Sequence, residues 1–227
     1  MTVSVVIPTL DEAAHIEGTL TSVASQPGPK EVLVVDGGST DETRALASPH
    51  ARVLTAPRGR ARQMNAGAAA ASGGVLLFLH ADTRLPPGAL DAVRQALRDG
   101  AVAGGCFRTT FDADGFWMRV WSLRLWMRWH RLAFGDRAPF ARRAAFEAVG
   151  GFPEQPIFED LELVRRLRRQ GRFAFLDAAV VTSARRFHRN GPLRQQLRNL
   201  ALWSAWALGL PAPWFKRFYP DAPEARG

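Results

Sequence analysis

Polar and acidic side chains follow three apolar segments in the N-terminal half, each at the point where the apolar segment ends. The three polar groups are Pro8–Glu12, Asp36–Asp41 and His80–Thr83. Carboxylates accept hydrogen bonds from ligand N–H and hydroxyl groups, and they also bind hard cations. If the three segments are neighbouring parallel strands, these groups meet at one edge of a sheet, where open α/β proteins bind their ligands.

Each group taken alone has a plainer explanation. Asp11 and Glu12 fit the first turn of a helix, where the helix dipole favours carboxylates. The Gly37–Ser39 segment fits an ordinary turn, and Asp82 fits a capped loop before Pro86. The occurrence of all three groups at successive strand ends favours a ligand site over these separate explanations.

The elements that must position these groups alternate between apolar strands and helices, which predicts an α/β fold with a mostly parallel central sheet flanked by helices. The strands are predicted at Val3–Ile7, Val32–Val35, Arg52–Thr55 and Val75–Leu79, and the helices at Glu12–Ser25, from Asp41, at Arg60–Ala71 and from Pro86 to Arg98. Beyond them we predict strands at Ala101–Thr110 and Phe173–Val181, and helices at Phe116–Phe134, Ala144–Val149, from Glu159 and at Pro192–Leu210.

The composition is that of a globular domain with an unusual charge. The 227 residues carry a net charge of +9, and nearly all of the basic residues are arginine. A GC-rich genome would explain this, and so would attraction to the phosphates of nucleotides, nucleic acid or anionic lipids. Cys106 is the single cysteine, and no signal peptide or clean membrane span is recognisable. These features predict a cytoplasmic protein.

Five motifs in order carry a resemblance to a known family. Val3–Glu12, Val34–Thr43 and Phe78–Thr83 resemble the three signatures of family 2 glycosyltransferases of the Rossmann-like GT-A fold. Gly59–Ala68 and Phe158–Leu163 complete the order expected of that family. The resemblance spans roughly Val3 to Arg186 and is closest to the short bacterial subgroup called radical-SAM/selenodomain-associated transferases.

The resemblance implies an enzyme that moves one sugar from a nucleotide-diphosphate sugar to an unidentified acceptor, with a lipid-linked acceptor as one option. It implies inversion at the anomeric carbon and a divalent cation, Mg²⁺ or Mn²⁺, bound by Asp82. The implied donor-binding residues are Pro8, Thr9, Asp11, Glu12, Asp36, Gly38, Ser39, Asp41, Arg60, Asn65, His80 and Ala81.

The C-terminal part supplies the implied catalytic and acceptor groups. Asp160 matches the base that activates the acceptor, with Glu159 beside it; both also fit a helix N-terminus, where the dipole favours acids. The implied acceptor-side residues are Gly104, Gly105, Arg142, Arg185 and Arg186. The expected single domain then has a donor-binding half (1–100), an acceptor and catalytic half (101–190) and a C-terminal helical segment (191–227).

The sequence departs from the family at two places. His80 stands where the family more often has aspartate, and it fits a metal ligand, a ribose contact or a cap of the strand end. The Gln-x-x-Arg-Trp motif and the membrane spans of processive members are missing, which favours transfer of a single sugar. Arg185 and Arg186 occupy the comparable place and could reach the diphosphate.

The helix predicted at Phe116–Phe134 is rich in tryptophan and carries Arg124, Arg128 and Arg131 on one stripe. Such a helix either docks on an anionic membrane surface, at the inner face of the membrane, or packs in the core with a solvated basic face. No nucleic-acid recognition motif is present, so nucleic acid is not an expected partner.

Two other functions remain open. A sugar nucleotidyltransferase shares this architecture, but it relies on a glycine-rich loop with a basic residue after the first strand, where this chain has Pro8–Glu12. A non-catalytic nucleotide-binding or membrane-docking module would bind nucleotide tightly without donor hydrolysis or transfer.

Overall fold

The parallel strands predicted for the N-terminal half are all present in the computed structural model, which describes residues 1–112, 137–155 and 157–185 and short pieces between 191 and 209. The strands are β1 (Val3–Thr9), β2 (Lys30–Asp36), β3 (Arg52–Thr55) and β4 (Val75–Phe78). Parallel pairing joins β1 to β2, β1 to β4 and β2 to β3. The crossovers between them are helical, as parallel strands require.

Six helices are defined in the described ranges, and they cover the sheet. They are α1 (Ala13–Ala24), α2 (Thr43–Ala47), α3 (Arg60–Ala70), α4 (Ala89–Ala96), α5 (Arg143–Ala148) and α6 (Glu159–Gln170). All six lie where the sequence predicts helices, with ends that differ by a few residues. Residues 197–198, 200–202 and 204–205 are also helical, within the predicted Pro192–Leu210 helix.

The part of the chain after β4 extends the same sheet with three antiparallel pairs and one long parallel pair. Its strands are β5 (Thr83–Arg84), β6 (Val102–Phe111), β7 (Phe140–Arg142) and β8 (Arg172–Thr182), and the strand order is β3-β2-β1-β4-β7-β6-β8-β5. Strand β7 runs antiparallel to β4 and β6, and β5 runs antiparallel to β8. The sequence did not predict β5 and β7, because strands of two or three residues are too short to show a period.

Alternate residues of the central strands fill two separate cores. Val5 and Ile7 of β1 belong to the core under α1 and α4, whereas Val6 packs on the other face with Met64 of α3 and Leu163 of α6. Side chains on a strand point alternately to opposite faces, and β1 is mostly apolar on both faces because both are covered. The predicted mostly parallel sheet with helices on both faces is confirmed.

Parts of the chain carry predictions that the described residues cannot address. The predicted helix at 116–134, with Arg124, Arg128 and Arg131, lies outside the described residues, and so does Arg186. Among the residues that are described, no helix is both long enough and apolar enough to cross a bilayer.

Candidate active site

The three polar groups singled out in the sequence lie at one edge of the sheet. Strands β1, β2 and β4 are parallel neighbours, and Thr9 at the end of β1 is paired with Asp36 at the end of β2. Strand β4 ends at Phe78, and after Leu79 the chain turns at His80–Asp82. The carboxyl ends of these three strands therefore bring together groups that are up to 75 residues apart in sequence, from Pro8 to Thr83.

Asp36 is fully buried and binds the loop that follows it. Its carboxylate accepts hydrogen bonds from the backbone N–H of Gly38 and Ser39, each at 3.0 Å, and from the Ser39 hydroxyl at 2.5 Å. Gly38 has a φ of +98°, a conformation that glycine adopts readily. Asp36 therefore shapes the turn after β2, a role that the sequence did not predict for it.

The loops after β1 and β2 are interlocked by their carboxylates. Asp11 accepts from the backbone N–H of Thr40 at 2.8 Å, and its own N–H donates to the Ser39 hydroxyl at 2.9 Å. Asp41 accepts from the N–H of Ala13 at 3.0 Å and from both the N–H and the hydroxyl of Thr43. Burial raises the pKa of Asp41, but these hydrogen bonds outweigh it and hold that pKa below its ordinary value.

Gln63 is a site residue that sequence reasoning missed. Its buried amide donates to the carbonyl oxygens of Thr9 at 2.7 Å and Val35 at 2.8 Å, so helix α3 ties the ends of β1 and β2 together. Asn65, which was predicted to bind the donor, clamps Phe152 through both its amide nitrogen and its oxygen. The structure therefore gives Asn65 a structural role in joining α3 to the segment before α6.

A small cleft opens beside this edge, between α3, β4 and the start of α6. Its cavity volume is about 10 Å³, which is room for about one water molecule. Its lining residues are Arg60, Met64, Phe78, His80, Pro139, Phe152, Glu159 and Asp160. The cleft thus brings His80 and Arg60 of the predicted donor site together with the two predicted catalytic acids.

Both acids are buried at the first turn of α6. Glu159 is 3% exposed and Asp160 is 7% exposed. Glu159 forms an ion pair with Arg60, with Nη1 3.3 Å from Oε1. One oxygen of Asp160 accepts from the N–H of Leu161 at 2.8 Å, in the first turn of the helix. Both carboxylates lie in the first turn of α6, where the helix dipole favours acidic side chains.

Backbone strain is concentrated around the site. Within the described ranges, the non-glycine residues with positive φ are Asp11 at +51°, Ala138 at +44° and Phe158 at +64°. Asp11 lies in the interlocked loops, Ala138 precedes Pro139 of the cleft, and Phe158 precedes the two acids. Such conformations cost of order 1–3 kcal/mol each and cluster where function constrains the backbone.

Arg185 connects two of the three loops. Its guanidinium binds both oxygens of Glu12, at 2.9 and 2.5 Å, and its Nη2 lies 3.2 Å from Oδ2 of Asp82. Glu12 and Asp82 are each 15% exposed at the side chain, whereas Arg185 is 40% exposed. Burial lowers the pKa of Arg185, but its hydrogen bonds to Glu12 and the negative charges of Glu12 and Asp82 outweigh burial and raise that pKa.

The backbone around Arg185 is held on two sides. The N–H of Ser183 donates to the carbonyl of Asp82 at 3.2 Å, continuing the pairing of β8 with β5. The N–H of Ala184 donates to the carboxylate of Asp112 at 2.7 Å. These contacts place Arg185 at the edge of the sheet where the three polar groups meet, which fits the expected reach toward a diphosphate better than a separate acceptor side.

The residues at this edge fit a cation that arrives with a nucleotide. The described residues contain no group of three His, Cys, Asp or Glu side chains that could hold a metal ion. A hard cation bound to phosphates and water needs only one or two protein carboxylates. Asp82 offers one such carboxylate, so a nucleotide-borne Mg²⁺ or Mn²⁺ fits.

Arg142 was predicted on the acceptor side, but the structure places it elsewhere. It is paired with Val75, at the amino end of β4, which is the edge opposite His80 and Asp82. Its guanidinium donates to the carbonyl oxygens of Leu97, Asp99 and Val102. Arg142 therefore fastens the α4–β6 connection and does not reach the cleft.

Gly104 and Gly105, also predicted on the acceptor side, lie inside the sheet. A Cβ on Gly104 would lie 2.5 Å from the carbonyl oxygen of Phe140, and one on Gly105 would lie 2.4 Å from that of Ala174. Both glycines are buried in β6 between β7 and β8. Close approach of neighbouring strands is sufficient to explain glycine at both positions.

Comparison with known proteins agrees with this arrangement. A family model described as glycosyl transferase family 2 matches residues 4–152. The match covers more than half of the chain, including β1 to β4 and the loops that follow them, and the chain therefore belongs to family 2 of the glycosyltransferases. Its fold is the GT-A fold of that class. The narrower radical-SAM-associated subgroup is not confirmed and stays a prediction.

Several relatives agree with the family. An uncharacterized glycosyltransferase of Mycobacterium bovis is 34% identical over 158 residues, covering 65% of this chain and 71% of that one. The probable glycosyltransferase YdaM of Bacillus subtilis is 28% identical over 207 residues, covering 78% of this chain and 49% of YdaM. An uncharacterized protein of Mycobacterium tuberculosis is 38% identical over 107 residues, and the matched part is only 34% of its length.

Solved structures share the fold at low sequence identity. TarS of Staphylococcus aureus superposes with a TM-score of 0.68 and 19% identity over 81% of this chain and 37% of its own. The mannosyltransferase PcManGT of Pyrobaculum calidifontis, in complex with GDP-Man and Mn²⁺, superposes with a TM-score of 0.65 and 23% sequence identity. The superposition covers 95% of this chain and 67% of PcManGT. This chain thus spans little more than a third of the full TarS structure.

Proposed function

We propose that this protein transfers one sugar from a nucleotide-diphosphate sugar to an acceptor hydroxyl, with inversion and with a divalent cation. The observation that carries the proposal is the cleft in which the buried acids Glu159 and Asp160 face Arg60 and His80 beside the donor edge. A transfer reaction needs a base next to a bound donor, and the proposed base and two of the proposed donor contacts line the same cleft.

Donor binding is proposed for the interlocked loops after β1 and β2 together with His80. TarS structures with UDP and with UDP-GlcNAc, and the PcManGT structure with GDP-Man, support a nucleotide-sugar donor of the same kind. In this chain Asp11, Ser39 and Asp41 already have partners in the neighbouring loop. Their part in donor binding is therefore to hold the two loops in one shape.

Asp160 is proposed as the catalytic base. As the acceptor oxygen bonds to the anomeric carbon, its proton passes to the Asp160 carboxylate. The bond between that carbon and the diphosphate breaks at the same time, and its electron pair leaves with the nucleoside diphosphate. One base and one displacement invert the anomeric centre without a covalent intermediate. Glu159 is paired with Arg60, so it positions Arg60 at the cleft and is the weaker candidate for the base.

Asp82 is proposed to hold the cation that the donor brings. The cation neutralises the charge that develops on the departing diphosphate. The Mn²⁺ in the PcManGT structure supports a divalent cation for a protein of this fold. On this proposal residues 1–100 supply most of the donor contacts, with Arg185 beside them, and residues 101–190 supply the base.

The acceptor is proposed only by class, as a hydroxyl compound with a lipid-linked molecule as one option. Docking on an anionic membrane surface would rest on Arg124, Arg128 and Arg131, which lie outside the described residues. Salt-sensitive binding to anionic but not neutral vesicles, reduced when these three arginines are replaced, would support it. Equal binding to both vesicle types would contradict it.

The test is a thermal-shift and turnover experiment with UDP- and GDP-sugars, each with and without Mn²⁺. A bound ligand stabilises by mass action, so one nucleotide should raise Tm more with Mn²⁺ than without it. Release of the corresponding nucleoside diphosphate should accompany the shift. Asp82→Asn should remove the Mn²⁺ dependence. Tight nucleotide binding with no release or transfer under any condition would contradict the enzyme and favour a non-catalytic binding module.

A further inference from the structure

Arg185 covers two carboxylates that face the donor edge. It makes a bidentate pair with Glu12 and reaches Asp82 with Nη2 at 3.2 Å. The two acids come from different loops, after β1 and after β4, and both are largely shielded while the guanidinium is the most exposed of the three. One positive charge is thus shared between two negative charges at the place where a cation is proposed to bind.

The position of Arg185 is built by the fold. Ser183 and Ala184 are each anchored through their backbone N–H, to the Asp82 carbonyl and the Asp112 carboxylate. Thr83 and Thr182, the sequence neighbours of Asp82 and Ser183, are joined by a 3.0 Å hydrogen bond between their hydroxyls. The bidentate geometry with Glu12 then fixes the plane of the guanidinium, since both oxygens are bound at once.

We infer that Arg185 acts as a counter-ion that holds Asp82 while no donor is bound, so that the divalent cation binds only together with the nucleotide. The inference rests on the proposed cation role of Asp82. It assigns to Arg185 a positioning role that determines the order of binding. Arg185 is neither a metal ligand nor the base.

The physical reason is repulsion between like charges. A divalent cation at Asp82 would lie within a few ångströms of the guanidinium, and their repulsion opposes binding of the cation alone. The diphosphate of a donor changes this balance, because its negative charge screens the cation and offers the guanidinium another partner. Glu12 keeps Arg185 in place throughout, because their pairing does not involve Asp82.

The experiment measures Mn²⁺ affinity by the EPR signal of free Mn²⁺, first without nucleotide and then with UDP or GDP. The wild-type protein should bind Mn²⁺ weakly alone and more tightly with the nucleotide. Arg185→Met should bind Mn²⁺ without nucleotide at least about tenfold more tightly than the wild type, because the repelling charge is gone. Arg185→Gln is a second variant with the same expected gain, should the first fail to fold.

Two controls isolate the effect. Arg165 forms the same kind of two-nitrogen pair with Glu162 on the exposed side of α6, so Arg165→Met removes an equivalent charge away from the site and should leave Mn²⁺ affinity unchanged. Arg185→Lys keeps the charge and should also bind Mn²⁺ weakly without nucleotide. Adding Asp82→Asn to Arg185→Met should abolish the gain.

The outcomes separate this inference from the proposed function. If Asp82→Asn weakens nucleotide-dependent Mn²⁺ binding but neither Arg185→Met nor Arg185→Gln strengthens binding of Mn²⁺ alone, the inference is overturned and the cation site stands. If Asp82→Asn leaves nucleotide-dependent Mn²⁺ binding unchanged, the cation site is wrong and the inference is overturned with it. Wild-type protein that binds Mn²⁺ equally well with and without nucleotide would also overturn it.

Discussion

Nη1 of Arg60 lies 3.3 Å from Oε1 of Glu159, and this ion pair joins the start of α3 to the start of α6 across 99 residues of sequence. The Glu159 side chain is 4% exposed and the Arg60 side chain 40% exposed. Both side chains line the cleft, with the carboxylate buried in the protein and the guanidinium partly exposed to solvent. It ties a helix of the donor half to the helix that carries the proposed base.

Arg60→Met should destabilise the protein, because it removes the cation paired with a buried carboxylate. We expect a loss of about 1–3 kcal/mol in the free energy of unfolding, measured by urea denaturation. Arg62→Met is the matched control, since Arg62 pairs with Glu154 and both side chains are more than half exposed. The control should lose less than about 1 kcal/mol. Equal stability of the two variants would show that the Arg60–Glu159 pair contributes nothing beyond a surface pair.

Asp160→Asn should abolish most transfer while leaving donor affinity nearly intact. General-base catalysis contributes about 10²–10⁴-fold in rate, so the turnover rate should decrease by a factor in that range. Turnover is measured as nucleoside diphosphate release, and donor affinity by titration with the nucleotide. Glu147→Gln is the control, because this carboxylate lies on α5 and is 62% exposed. A variant that keeps more than about a tenth of wild-type turnover would transfer the role of base to Glu159 or another acid.

Glu31→Gln should make the protein less stable at neutral pH but not in acid. Burial raises the pKa of Glu31, but hydrogen bonds from the Ser72 N–H and the hydroxyls of Ser4 and Ser72 outweigh it, and the pKa lies below its ordinary value. A depressed folded-state pKa stabilises the fold above the ordinary pKa of about 4.3, and this stabilisation is lost as the pH falls through the folded-state value.

At neutral pH the free energy of unfolding of Glu31→Gln should be about 1 kcal/mol lower than that of the wild type. This difference should shrink toward zero as the pH falls below about 4. Urea unfolding at both pH values measures it. Glu17→Gln, on the exposed side of α1, should show no such pH dependence. A difference for Glu31→Gln that stays constant across this range would mean that its carboxylate charge is not what stabilises the turn at Ser72.

Gly67→Ala should be destabilising because α3 lies directly on the sheet. A Cβ at this position would be 2.3 Å from Cγ1 of Val6 and 2.9 Å from Cγ2 of Val35. Overpacking of this kind costs about 1–3 kcal/mol, and the shift of α3 should also displace Gln63 from the ends of β1 and β2. Gly74→Ala is the control, since a Cβ there meets no atom of the described residues within 4 Å. Equal melting temperatures for both variants would contradict the close packing of α3.

The order of strands and helices in the donor half follows from the sequence alone. Runs such as Val3–Ile7 and Val75–Leu79 are apolar on both faces, and that pattern occurs in parallel strands covered on two sides. The position of the polar groups at strand ends follows equally, because parallel strands put their carboxyl ends at one edge. The resemblance of five ordered motifs to family 2 glycosyltransferases also predicted the family that the comparisons confirm.

Only the tertiary structure determined which polar side chains form hydrogen bonds or ion pairs with one another and which of them face the cleft. Asp36 and Asn65 have the residue types of ligand contacts, yet Asp36 binds the loop that follows it and Asn65 binds the backbone of Phe152. The pairs Arg60–Glu159 and Glu12–Arg185 bring together residues 99 and 173 positions apart. Strand β7 and the inward position of Gly104 also depend on the tertiary structure. Local sequence patterns record the period and the ends of each element, but a side chain's partners depend on which elements are neighbours, and that is determined only when the whole sheet assembles.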